Sequence, residues 1–412
     1  MFKSILTKFK TDGAMGYNRH ATMKRKLFFG VLVVLFIPVF AQEVPSDAYI
    51  KYKAIQINGV YYNLLSDGTA EVTNARGGDS DGENCYAGKI IILPSVSYSG
   101  TNYNVTKIGK YAFYYCKYLD EVIIHNRIRR IGYGAFAGSK IYSIKLPESI
   151  KVIDKYAFNQ SKICEMIIPE SVDTIGDYAF LNCENLSSVN LPQNVAYVGL
   201  WAFAGTSIFK PVYNSHIFAY LPPSFSEYAI PDGIKVIAGG AFSCCTGLTK
   251  LKIPISVKTI GEYACAGYHG YNIPGCHSLN EVCISDGVIE VKMYAFYGCS
   301  SLEKVIIGNN VEKLCERCFA NCKNLKTITF GKKLKYIGKS VFGACEKLES
   351  VNLPQGLVQI EAYAFSGCRS LIYLTIPSSV NKIGSNAFYG MPYIVYSGNA
   401  SGAPWGANAV CQ

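Results

Sequence analysis

Apolar residues recur along this chain with one dominant spacing. Twelve anchors define it: Phe113, Phe136, Phe158, Phe180, Phe203, Phe242, Cys265, Phe296, Phe319, Phe342, Phe365 and Phe388. Successive steps are 22 or 23 residues, apart from steps of 39 and 31 that hold a period plus an insertion. The residues five and eight before each anchor are apolar throughout, as in Ile175 and Val172 before Phe180. The residue just before the anchor is Ala except at Cys318 and Val341. A period of this length marks a solenoid, whose units bury their apolar faces only by stacking on neighbours.

Within a unit the periodicity changes. Leu302, Val305 and Ile307 alternate with polar positions as in a short strand. Pro or Gly follows, for example Pro192, Pro254, Gly308 and Pro377, ending the strand and turning the chain. The Ala-Phe segment is too short for a long helix and predicts one helical or 3₁₀ turn. Strands stacked at about 4.8 Å would build a parallel sheet about 55–60 Å long.

The run Ile175-Gly-Asp-Tyr-Ala-Phe180-Leu-Asn-Cys183-Glu-Asn-Leu186-Ser-Ser-Val189-Asn-Leu-Pro192 resembles the BspA-like leucine-rich repeat family of bacterial surface and secreted proteins. The resemblance covers residues 105–390. It implies a right-handed, α/β horseshoe-like leucine-rich-repeat solenoid, with a parallel sheet on the concave face and short turns on the convex face. It also implies attachment to host extracellular proteins or other cells, and it brings no catalytic residues. The expected organisation is a leader and signal peptide over 1–41, a β-rich cap over 42–104, twelve repeats over 105–390 and a C-terminal cap over 391–412.

In the cap, Asn58-Gly59 between two strand-like runs signals a two-residue hairpin, and Thr69–Thr73 and Lys89–Leu93 continue the strands. Pro404-Trp405-Gly406 reads as a capping turn at the other end. The first insertion, 208–225, carries Tyr213, His216, Phe218 and Tyr220; it forms either a hairpin packed along the solenoid or an exposed aromatic lip for a ligand. The second, 267–275, carries Tyr268, His269 and Tyr271. Insertions in repeat proteins often map to the binding face.

Charge adds an address. Residues 1–41 hold Lys24, Arg25 and Lys26 ahead of an apolar run from Leu27 to Phe40, with Val39 and Ala41 at small-residue positions. This is a secretory signal sequence, with Met23 the better start and the mature chain beginning near Gln42. No membrane span is expected after cleavage. The net charge of +11 falls by about half once this segment is set aside. The remaining excess is dispersed, which argues against nucleic acid.

Eight of the 16 cysteines (Cys116, Cys183, Cys245, Cys276, Cys299, Cys322, Cys345 and Cys368) share one repeat position. Where that position is Cys the next apolar residue comes three further on, and where it is Ser or Thr it comes two further on. The residue follows the turn length, which is packing chemistry, so buried reduced thiols are expected. Cys315-Glu-Arg-Cys318 and the group Cys265, His269, Cys276, His277 and Cys283 have the ligand types of a zinc site, but their repeat positions explain them. Asp79-Ser-Asp81-Gly-Glu83 resembles a calcium loop without its closing Glu. No hydrolase, metalloprotease or phosphate-loop motif occurs, so no catalytic residue, metal or cofactor is assigned.

Strand positions facing solvent include Glu121, Ser143, Glu165, Lys250, Lys252, Lys304, Thr327, Ser350 and Tyr373. They form a broad polar surface suited to a large wet interface, not a pocket of convergent acids. Lys250, Lys252 and Lys304 make a basic mid-sheet patch. The expected function is an exported, non-enzymatic adhesion protein that recognises a host matrix or cell-surface glycoprotein or glycan. The binding candidates are these lysines with Tyr373, Tyr213, His216, Phe218 and Tyr220. The alternative is a structural scaffold or spacer without a ligand.

Overall fold

The computed structural model describes residues 48–78 and 86–411. The expected signal segment, the calcium-like segment at 79–84 and Cys85 lie outside the described residues.

The chain is a leucine-rich-repeat solenoid. Each unit contributes two short strands rather than one. The longer, such as Lys304–Ile307 or Thr327–Thr329, pairs in parallel with its counterparts one period away. The shorter, such as Lys313–Leu314 or Tyr336–Ile337, builds a second parallel sheet from the residues six and five before each anchor. Both sheets bury alternate side chains and turn the others outward.

The Ala-Phe segment is a pair of turns instead of the expected helical turn. The residue two before every anchor sits in the left-handed region, with φ between 50 and 69°. It is Tyr in six of the twelve, from Tyr111 to Tyr363. A non-glycine residue in that region ends any right-handed helix. The cost is offset by bonds between units: Phe113 N–H donates to Ala135 O at 2.7 Å, Phe158 to Ala179 O at 2.8 Å, and Phe365 to Ala387 O at 2.7 Å.

The phenylalanine rings stack in columns along the core. Phe113, Phe136, Phe158, Phe180 and Phe203 follow one another at 4.9–5.5 Å with planes within 7°. A second column runs from Phe296 to Phe388. Such stacks add to the burial of large apolar faces.

The first insertion contains a truncated repeat. Its hairpin pairs Val212–Tyr213 with Ile217–Tyr220, and the second strand continues in parallel with Val236–Ile237. Leu221 N–H donates to Ala241 O at 2.8 Å, the bond an anchor makes. Glu227–Ala229 then supplies the unit's outer strand. Here the buried core passes from one hydrophobic cluster to the next, with Tyr220 in the first and Phe218 in the second.

At the N-terminal end, Ile50–Ile57 and Val60–Leu65 form an antiparallel hairpin across Asn58-Gly59, both at positive φ. At the other end, Phe388 N–H donates to Trp405 O at 3.1 Å. Trp405 thus occupies the place of the next unit's alanine, and its indole donates to Ser401 O at 2.8 Å.

Candidate functional site

Among the described residues the longer strands fall into four separate sheets, and their outward side chains stand in two columns whose character changes along the solenoid. At the N-terminal end one column holds the exposed ion pair of Lys89 and Glu121 at 2.9 Å, and the other holds Ile91 beside Ile123, with Ile167 79% exposed. In the middle the first column is charged. Glu227, Lys250, Glu281, Lys304, Thr327 and Ser350 face one another strand by strand. Beyond it lie exposed Thr329 and Asn352. Further along comes Tyr373, 59% exposed, stacked on Tyr393 of the next strand at 6.1 Å.

The three lysines named from the sequence therefore do not form a bare basic patch. Lys250 Nζ meets Glu227 Oε1 at 2.8 Å, and Lys304 Nζ meets Glu281 Oε1 at 2.7 Å. The Glu227 side chain holds the Lys250 ammonium above its usual range. Lys252 lies one column over, between Ala229 and Cys283, and makes no ion pair among the described residues. The geometry is a ladder of alternating signs, in which each exposed pair is worth little to stability but fixes where each charge stands.

The aromatic lip is corrected. Phe218 and Tyr220 are 0% and 1% exposed. They point inward because Ile217–Tyr220 is a core strand of the truncated repeat, and the Phe218 ring stacks on Phe242 at 5.3 Å. His216 is half-buried, with Nε2 3.1 Å from Val195 O. Of the four residues only Tyr213 is exposed.

The second insertion packs on a column of tyrosines. Tyr111, Tyr133, Tyr156, Tyr178 and Trp201 succeed one another at 4.7–5.8 Å. Trp201 then meets Tyr263 at 4.8 Å, and Tyr263 meets Tyr294 at 4.6 Å. Trp201 reaches Tyr263 across Gly240, where a Cβ would lie 2.1 Å from the indole. Tyr268 of the insertion lies on Trp201 at 5.2 Å, and Tyr271 OH is 3.1 Å from Tyr156 OH. The segment braces units that are far apart in sequence.

The repeat-position cysteines are buried, free thiols. Cys183, Cys322, Cys345 and Cys368 donate S–H to the carbonyls of Phe158, Phe296, Phe319 and Phe342, at 2.9–3.3 Å. Each thus caps the anchor carbonyl of a preceding unit. Cys315 Sγ lies 3.2 Å from Glu290 Oε1, while Cys318 is buried. Among the described residues no cluster of three His, Cys, Asp or Glu has metal-holding geometry.

Burial pushes the thiols of Cys183, Cys322 and Cys368 up to about 12. Their folded values are raised, so their contribution to stability is full below the unfolded thiol value of about 8.5 and is lost as pH climbs toward 12. Over that window each thiol costs about 1.4 kcal/mol per pH unit. Urea unfolding midpoints are expected to fall steeply between about pH 9 and 11. A flat profile there would show that these thiols are not buried in the folded chain.

The model of the BspA type leucine rich repeat region, in six copies, matches residues 106–219, 212–274 and 270–395. Among solved structures, a leucine-rich repeat protein from Eubacterium ventriosum is 23% identical, with 84% of this chain and 96% of that one covered and a TM-score of 0.55. One from Bacteroides ovatus is 26% identical, covering 83% and 94%, with a TM-score of 0.45. A leucine rich cell surface protein from Faecalibacterium prausnitzii is 23% identical, covering 87% and 94%, with a TM-score of 0.46. No curated protein matches the chain.

Proposed function

Because the chain belongs to the BspA-type leucine-rich repeat family, we propose that it is an exported, non-enzymatic binding protein. Its partner is a host matrix or cell-surface glycoprotein or glycan, and it binds through the outward surface of the longer strands. The observation that carries this reading is that surface itself: exposed side chains at strand spacing, charged from Glu227 to Lys304 and aromatic at Tyr373, with exposed isoleucines in the neighbouring column. Wide, wet surfaces of this kind suit macromolecules rather than a small substrate. Lys250, Lys252, Lys304 and Tyr373 lie on that surface, and Tyr213 is an exposed aromatic of the first insertion. Export rests on the charged-then-apolar segment Lys24–Ala41. No helix among the described residues is long and apolar enough to cross a membrane.

The pairing of Lys250 and Lys304 with glutamates favours a second reading, a spacer whose surface charge is satisfied internally. The two separate by binding to immobilised matrix glycoproteins, mucins and glycans at two salt concentrations. The combined variant Lys250→Gln, Lys252→Gln and Lys304→Gln is compared with wild type. Glutamine is chosen because glutamate would stack like charges with Glu227 and Glu281 on successive strands. Adhesion through this surface predicts saturable, salt-sensitive binding that the variant weakens about tenfold or more. A spacer binds nothing on the panel.

A further inference from the structure

A second polar surface lies away from the strand columns, on the rim where each longer strand turns toward the shorter one. There an open cleft of about 610 Å³ spans the first units of the solenoid. Arg127, Arg129 and Lys151 line it, and Asn104, Asn126 and Ser149 stand between them.

Three observations set this cleft apart. First, the lining gathers three cations and no carboxylate, whereas many cations elsewhere meet a carboxylate about one period away, as Lys326 meets Glu303 at 3.0 Å and Lys155 meets Asp177 at 2.7 Å. Arg127 and Arg129 have no such partner, since the residues one period before them are Asn104 and Thr106 and those after are Ser149 and Lys151. Neither they nor Lys151 forms an ion pair among the described residues. Second, Arg127 is held in place: its Nη1 donates to Asn104 Oδ1 at 2.7 Å, and its N–H donates to His125 Nδ1 at 3.1 Å. Third, the lining has no aromatic or large apolar side chain. A protein partner would want an apolar anchor and a single-stranded nucleic acid a stacking surface.

Cations gathered in a cleft focus field on an anion, and guanidinium forks match sulfate and carboxylate oxygens in pairs. The amides and the hydroxyls of Thr106 and Ser149 alternate with those cations. Such a lining complements a polymer that alternates acidic groups with sugar hydroxyls. We propose that this cleft binds an acidic polysaccharide bearing sulfate or uronate groups. The basic run ends at the next residue of the column, Asp173, which limits the site to a short stretch of such a chain. This inference goes beyond the strand-surface reading: it concerns another surface, and its test changes other residues.

The test is titration of the full chain with heparin, hyaluronan and inorganic sulfate at several salt concentrations. The variant combines Arg127→Gln, Arg129→Gln and Lys151→Gln. The control, Lys235→Gln with Lys258→Gln, removes cations from the same column further along, outside the cleft. Heparin or hyaluronan is expected to bind, and the cleft variant to weaken that binding at least about tenfold with a shallower salt dependence. The control should stay within about twofold. Heparin binding alone assigns sulfate, and hyaluronan binding assigns uronate. Equal losses in both variants, binding to neither polymer, or inorganic sulfate competing as well as heparin would each overturn the proposal. All the substituted side chains are exposed, and circular dichroism checks that the variants remain folded.

Discussion

Replacing Phe319 with alanine is expected to cost about 3–5 kcal/mol and to split the unfolding of the solenoid into two transitions. The ring is fully buried between Phe296, at 5.2 Å and 1°, and Phe342, at 6.0 Å and 5°. Its removal leaves a void that the turns cannot close, because they are tied to both neighbours: Phe296 N–H donates to Cys318 O at 2.8 Å, and Phe319 N–H to Val341 O at 3.1 Å. From Phe296 to Phe388 each unit packs on its neighbours, so stability there is close to a sum of units and interfaces. A weak interface in the middle uncouples the two sides. Differential scanning calorimetry of wild type and variant checks both claims. Phe319→Leu, which keeps most of the volume, should cost less than about 1.5 kcal/mol. A single transition displaced by less than the leucine variant's would mean that the column is not a shared core.

The second large effect is at Trp201. Its indole is buried, donates from Nε1 to Ser243 Oγ at 2.7 Å, and supports Tyr178, Tyr263 and Tyr268 at once. Trp201→Ala should cost about 3–5 kcal/mol. It should also detach the second insertion, whose Tyr268 loses the face it lies on. Trp201→Phe keeps a ring there and loses the hydrogen bond, at about 1–2 kcal/mol. Limited proteolysis across 267–275 reports the detachment: the alanine variant should be cut there much faster than the phenylalanine variant. Equal cutting of wild type and Trp201→Ala would show that the insertion is held by something else.

What the sequence shows and what it hides divides along physical lines. The phenylalanine anchors, the apolar residues five and eight before them and the turn cysteines are legible because stacking demands the same side chain at the same step. The Asn58-Gly59 hairpin is legible because few pairs tolerate two positive φ angles. The left-handed turn residues are hidden, since Tyr156 or Tyr178 adopts that conformation only under the hydrogen bonds of the next unit. The truncated repeat is hidden by Leu221 in place of Phe and Tyr220 in place of Ala, although Tyr228-Ala-Ile230-Pro231 carries the strand ending of its neighbours. The lysine patch misleads because a list of cations omits the acids one period away; Glu227 and Glu281 are visible in the sequence once the strands are aligned. The inward turn of Phe218 and Tyr220 depends on which strand pairs with which, and composition carries no such information.

Trp405 stands where another unit's alanine would be, so the last phenylalanine anchor passes its backbone bond to a residue outside the repeat pattern. Between Phe296 and Phe388 the steps are all one length, and each unit presents the same bonds forward and back. An in-frame loss or duplication of one period in this stretch would rejoin like to like, leaving the bond from Phe388 to Trp405 unaltered. Recombination between these units therefore has a tolerated outcome here: the length of the solenoid becomes a heritable variable, adjustable in increments of one unit. The stretch from Phe203 to Phe296, interrupted by the truncated unit and bound to earlier tyrosines through the second insertion, has no such freedom.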